Sequence, residues 1–215
     1  MKNDLLALSD PKLSGTEESS HWLEWQTVSR DKLADCKIFS VNKVLSRSKS
    51  DNKSTGNFFT LDCGPWVNII AINDKSQLVM VEQYRHGIEE LTLELPGGSV
   101  DDTDIDPHEA ARRELIEETG YVANSWSMLG KNHPNPALQN NLCYTYLAEG
   151  AYQVEQPKFD GTGTERTRTR FVDLSDIGAL VLDGTVSHAL VITALHFLTL
   201  RRPDLISNAP QAVAK

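Results

Sequence analysis

The run Arg112-Arg113-Glu114-Leu115-Ile116-Glu117-Glu118-Thr119-Gly120 combines three carboxylates with an apolar helical pattern. Glu114, Glu117 and Glu118 stand at i, i+3 and i+4, which puts all three on one side of a helix. Like charges so spaced repel by about 0.2–0.5 kcal/mol per pair, and a cation or arginines must offset that cost. Neither a cysteine nor a histidine pair lies beside the cluster, so a hard, oxygen-ligated ion, Mg²⁺ or Mn²⁺, is the natural partner. The competing reading is an acidic helix face bathed in solvent.

Working outward, Pro107 suits a first helical turn, Ala110 and Ala111 continue the apolar spacing, and Gly120 suits the left-handed position just past the end. Before the helix, Pro96-Gly97-Gly98 stops a short strand at 91–95. Apolar strands at 66–72 and 77–83 flank the turn Asn73-Asp74-Lys75-Ser76. Further back, β-rich stretches at 37–45 and 57–62 flank the polar segment 46–56, predicting a hairpin with a long solvated loop. After the helix, 125–130, 142–148 and 167–172 read as strands, and 174–182 and 187–201 as helices. Strands and helices intermix with tight early β-connections, which predicts an α/β (α+β) domain built on a mixed sheet.

The 215-residue chain has 21 Lys+Arg against 30 Asp+Glu, a formal net charge of −9. Hydrophobic residues make up 40% and charged residues 24%, and no apolar run approaches the ~18 residues of a membrane span, so no membrane partner is expected. An acidic chain without a dense basic run is poorly suited to long phosphate backbones, and no nucleic-acid partner is expected either. Cys36, Cys63 and Cys143 are odd in number and widely spaced, which argues against a disulfide framework. No secretory pattern marks the N-terminus, and the expected compartment is the cytoplasm. Residues 1–20 read as a flexible arm, 21–64 as a β-rich segment, 65–204 as the main domain and 205–215 as a tail.

Taken together, Gly98 through Tyr121 resembles the Nudix box: Gly, five residues, Glu, seven residues, then Arg-Glu-aliphatic-any-Glu-Glu-any-Gly-aliphatic. The second half matches position by position from Arg113 to Gly120. The first half departs from it. Gly98 precedes Arg113 by fifteen residues where the family has fourteen, Asp104 stands in for the loop glutamate, and Tyr121 takes the last aliphatic place. The resemblance implies a Nudix fold, with mixed β-sheet layers sandwiched between helices. It implies Glu114 and Glu118 as principal metal ligands, Glu117 and the carbonyl of Gly97 as further ligands, and Gly98, Asp104, Arg113 and Gly120 as structural supports of the box.

Val81-Glu82-Gln83-Tyr84-Arg85 and Leu93-Glu94-Leu95-Pro96-Gly97-Gly98 resemble the ADP-ribose and nucleoside-diphosphate-sugar pyrophosphatases of that superfamily. The resemblance implies Arg85 as a diphosphate-binding residue and Glu94 as a residue lying against substrate. It implies a general base from a late loop, with Glu165 as candidate; Glu117 is the alternative, and Glu165 also reads as a loop residue paired with Arg166 or Arg168. N-terminal aromatics exchanged in a homodimer are implied for base stacking, with Trp22 and Trp25 as candidates; Trp25 also reads as a core or interface residue. Trp66 and Trp126 read as core, and His133 as a loop histidine. The arginines of Arg166-Thr167-Arg168-Thr169-Arg170 fall on one strand face and are expected to pair with the acidic loop. The expected activity is metal-dependent hydrolysis of ADP-ribose or a related nucleotide sugar. The alternatives are a nucleotide-binding sensor without catalysis and an isoprenoid-diphosphate isomerase, the latter requiring a dedicated cysteine.

Overall fold

The computed structural model describes residues 23–158 and 166–207. Two sheets organise them. The first is an antiparallel meander of β1 (Trp25–Asp35), β2 (Phe39–Ser48) and β3 (Thr55–Cys63). The hairpin loop is shorter than the composition predicts, because Ser46 pairs with Gly56 and Arg47 with Thr55. The polar residues of that segment close the turn themselves: Asp51 accepts hydrogen bonds from the backbone N–H groups of Lys53 and Ser54 and from the Ser54 hydroxyl.

The second sheet holds β4 (Trp66–Asn73), β5 (Gln77–Arg85), β6 (Glu90–Glu94), β7 (Gly97–Ser99), β8 (Tyr121–Asn132), β9 (Cys143–Gln153) and β10 (Thr167–Asp173). Its main order is β10-β5-β4-β9-β8, with β6 on β5 and β7 on β4. Only the β4–β9 pair is parallel, so the sheet is mixed. Helix α1 (Pro107–Thr119) covers one face, where Ala110, Ala111 and Leu115 pack on Val67, Ile69, Ala71 and Val79. Helices α2 (Ile177–Leu182) and α3 (Ala189–Arg201) cover the other, where Val191, Ala194 and Leu198 meet Ile70, Leu78, Met80 and Leu147. Successive β4 residues point to opposite faces and both faces are buried, which is why its sequence from Trp66 to Ile72 is apolar at every position but Asn68 instead of alternating. The short α4 (Pro203–Ser207), outside the expected elements, begins at Pro203, which suits a first helical position.

One irregularity shapes everything that follows. Strands β4 and β5 pair only at Ala71–Val79 and Ile72–Leu78, beside their turn, and then part. Strand β6 takes over the rest of β5, and β7 takes over the start of β4. The two glycines of the Pro-Gly-Gly segment, expected only to end a strand, thus open one of their own with Ser99. A Cβ at Gly97 would stand 2.2 Å from the Val67 carbonyl oxygen, so this approach requires glycine.

Candidate active site

A cavity of about 730 Å³ opens where β4 and β5 diverge. Its walls come from the start of β4, the end of β5, β6, β7 and the N-terminus of α3, and they include Asn68, Arg85, Glu94, Gly97, Gly98 and His188. Trp66, expected in the core, is half-buried at this wall instead.

Beside β7, α1 presents its carboxylates. Its start is fixed by Asp106, whose Oδ1 accepts from the backbone N–H groups of His108 and Glu109, each at 2.9 Å. Its end is fixed by Gly120 at φ 73°, whose N–H donates to the Ile116 carbonyl at 2.8 Å. Between them, Glu114 and Glu118 are buried. Glu118 Oε2 accepts from the Gly97 N–H at 2.9 Å. The Glu114 carboxylate lies flat on Gly98, where a Cβ would come within 2.4 Å of its Oε1.

Arg113 ties this corner together. Its guanidinium donates to both Asp104 oxygens (3.2 and 3.0 Å), to Glu114 and Glu117 (3.0 Å each) and to the Ser99 carbonyl (2.9 Å). Asp104 also accepts from the Asp101 N–H, at 2.8 Å. The hydrogen bonds from Arg113 hold the Asp104 carboxyl below its ordinary range, and those to Asp104 first, with the nearby Glu114 charge, raise the guanidinium pKa. Glu117 is half-exposed, unlike its two neighbours, and is turned to Arg113. Among the described residues no three His, Cys, Asp or Glu side chains converge closely enough to hold an ion. The expected trio is here a buried pair plus a third carboxylate held by arginine, because Arg113 lies between Glu114 and Glu117. The donor set is nonetheless all oxygen, and Gly98 leaves the Glu114 carboxylate a cradle at the cavity edge. The chemistry therefore fits a hard divalent cation.

Across the cavity, Arg85 grips Glu94 with two parallel hydrogen bonds of 2.7 Å, from Nε to Oε1 and from Nη2 to Oε2. Thr92 Oγ1 also donates to Oε1, at 2.7 Å. Glu94 is only 2% exposed. Burial by itself would raise its pKa, yet the hydrogen bonds from Arg85 and Thr92 outweigh that and hold it below its ordinary value. His188, at the N-cap of α3, sits with Nδ1 3.4 Å from Glu94 Oε2. Sequence reasoning missed His188 and Thr92: His188 is ninety-four residues from Glu94, and only the docking of α3 brings the two together.

Other candidates fall elsewhere. Trp25 packs edge-on against Phe58 in the first sheet, with ring centroids 5.5 Å apart, and does not line the cavity of its own chain. Trp22 and Glu165 lie outside the described residues. His133 Nδ1 is 3.1 Å from the Asn141 carbonyl, a loop contact. Arg168 pairs with Glu82 and not with the acidic loop, because β10 lies in register beside β5 and sets the two residues directly opposite.

The NUDIX domain family model matches residues 64–195. The chain is 31% identical over 136 residues to an ADP-ribose pyrophosphatase of Mycobacterium tuberculosis, a match spanning 62% of this chain and 65% of that protein's length. It is 29% identical over 135 residues to an ADP-ribose pyrophosphatase of Bacillus subtilis, spanning 63% of this chain and 72% of the relative. The fold is similar to that of a crystal structure of an ADP compounds hydrolase, with a TM-score of 0.71 at 22% identity, over 84% of this chain and 95% of that one.

Proposed function

The chain belongs to the NUDIX domain family, and from that premise we propose that it is a metal-dependent pyrophosphohydrolase. Its substrate is ADP-ribose or a related nucleoside-diphosphate sugar, and its products are a nucleoside monophosphate and a sugar phosphate. The observation carrying this reading is that Gly97-Gly98 line the cavity of the Arg85–Glu94 pair and carry the buried Glu118 and Glu114 on their other contacts. A diphosphate bridging two sugars is anionic and flanked by less polar groups. The cavity matches it with one arginine, an acidic edge suited to a cation, and walls that include Trp66, Val67 and Leu190.

Glu114, Glu118 and the carbonyl of Gly97 would hold the ion, Mg²⁺ or Mn²⁺, and Glu117 would join them by exchanging its hydrogen bond from Arg113 for the ion. When bound, that ion neutralises phosphoryl charge and acidifies water. Arg85 binds the diphosphate, and in the free protein Glu94 fixes the plane of its guanidinium. Water adds to one phosphorus as the bridging P–O bond breaks, and a carboxylate takes the water's proton. Glu165 is the candidate base, with Glu117 as the alternative. Trp22 and Trp25 are assigned to the base subsite of a homodimer formed through the first sheet, and three free cysteines suit a cytoplasmic enzyme.

The isomerase alternative loses support from the cysteines. None lines the cavity, and burial pushes the Cys143 thiol up to about 12. The test is Glu118→Gln, which preserves shape and the hydrogen bond from Gly97. The expected result is a fall in kcat of at least about 100-fold on ADP-ribose with magnesium, at an unchanged circular dichroism spectrum. Full phosphomonoester release by that variant defeats the proposal.

A further inference from the structure

Among the described residues, Arg85 is the one lysine or arginine lining the cavity, and Glu94 cancels its charge through two hydrogen bonds. An anionic diphosphate entering this side of the cavity therefore meets a pair with no net charge. Two histidines share the lining, His86 and His188. His86 stands at the mouth, edge-on to Tyr84 with ring centroids 5.1 Å apart. His188 is deeper: its Nδ1 is buried, makes no hydrogen bond, and faces Glu94 Oε2 at 3.4 Å.

We propose that His188 is a positioning residue for substrate binding: it takes up a proton as the diphosphate enters, becomes the partner of Glu94 and so releases the charge of Arg85 to the substrate. This inference rests on the pyrophosphohydrolase reading above. In the free protein, the groups facing the imidazole are Glu94 from β6 and Arg85 from β5, with the N-terminal end of α3 beneath it; the first turn of α3 carries no acidic residue. Burial, the largest influence, favours the neutral ring; Glu94 opposes it, and Arg85, the smallest of the three, favours the neutral ring again. The helix N-terminus also disfavours a cation. An anionic ligand reverses the balance: it offsets Arg85, leaves Glu94 in need of a partner, and makes the protonated ring the better state. The imidazolium Nδ1–H then donates to Glu94 Oε2, and Arg85 turns its donors to the phosphoryl oxygens. The proton comes from solvent and returns to it when product leaves.

Linkage sets the sign. A group whose pKa rises on binding makes binding tighter at low pH, and affinity falls as pH rises through the interval between the free and bound values. The experiment is calorimetric titration of the full chain with the α,β-methylene analogue of ADP-ribose, whose doubly esterified diphosphate has no group titrating between about pH 6 and pH 8, at fixed magnesium, in buffers of different ionisation heat. For the wild type the expected result is net proton uptake near neutral pH, with Kd weakening by up to about tenfold per pH unit between about pH 6 and pH 8. His188→Asn removes the uptake and flattens the profile at the weak end. His188→Lys, a permanent cation, flattens it at the tight end and serves if the first variant fails to fold. Equal uptake in wild type and variants, or none in the wild type, overturns the role of His188 while leaving the pyrophosphohydrolase reading intact. No binding by any of the three proteins overturns both.

Discussion

At Gly98 one added methyl group would meet the Glu114 carboxylate at 2.4 Å, whereas at Gly97 it would meet the Val67 backbone at 2.2 Å. The two neighbours therefore fail differently. Gly98→Ala displaces a side chain that can turn away, so the expected outcome is a folded protein with activity lowered about 10–100-fold, measured as kcat on ADP-ribose beside an unchanged melting profile. Asp104 carries the pH prediction. Its folded pKa lies below the ordinary 3.8 because Arg113 donates to it. Its contribution to stability is thus complete above 3.8 and disappears as pH falls through the folded value. Urea unfolding of wild type and Asp104→Asn should show a gap near about pH 6 that closes toward about pH 3. The Arg113 network was legible because its partners are mostly local. His188 was not, since nothing near it in the chain distinguishes it from any histidine preceding a helix.

Among the elements, α1 is the one whose limits could be read to the residue. Pro107 and Gly120 each satisfy a local geometric demand, so no distant contact had to be guessed, and the structure adds Asp106 as the N-cap. Replacing Asp106 with Ala orphans two backbone N–H groups and should cost about 1 kcal/mol, read from the denaturation midpoint, with the helix register and Glu118 unaffected. Strand β7 was illegible for the opposite reason. Three residues with two glycines carry no β pattern, and the pairing with β4 comes from the backbone approach that the missing side chains permit. Similarly, the apparent hairpin loop at 46–56 shortened because its polar residues bond to one another across the turn.

For the whole molecule, the first sheet is the part that bears on assembly. Strand β1 is exposed along its length, and Trp25, Val28, Phe58 and Phe59 remain in solvent. Such a surface is the counterpart expected of a dimer interface. Light scattering at micromolar concentration should return twice the chain mass, and Phe59→Asp should return the monomer mass while leaving the second sheet intact. The mixed sheet itself was readable from the sequence, because tight early β-connections intermix with helical stretches, but its order was not. The parting of β4 and β5 has one more effect. Arg85 hangs from one jaw and the Gly97-Gly98 edge from the other, joined at a two-rung hinge beside Asn73. The molecule is in this respect a caliper: the opening between its jaws is set by where the backbone pairing of β4 with β5 stops.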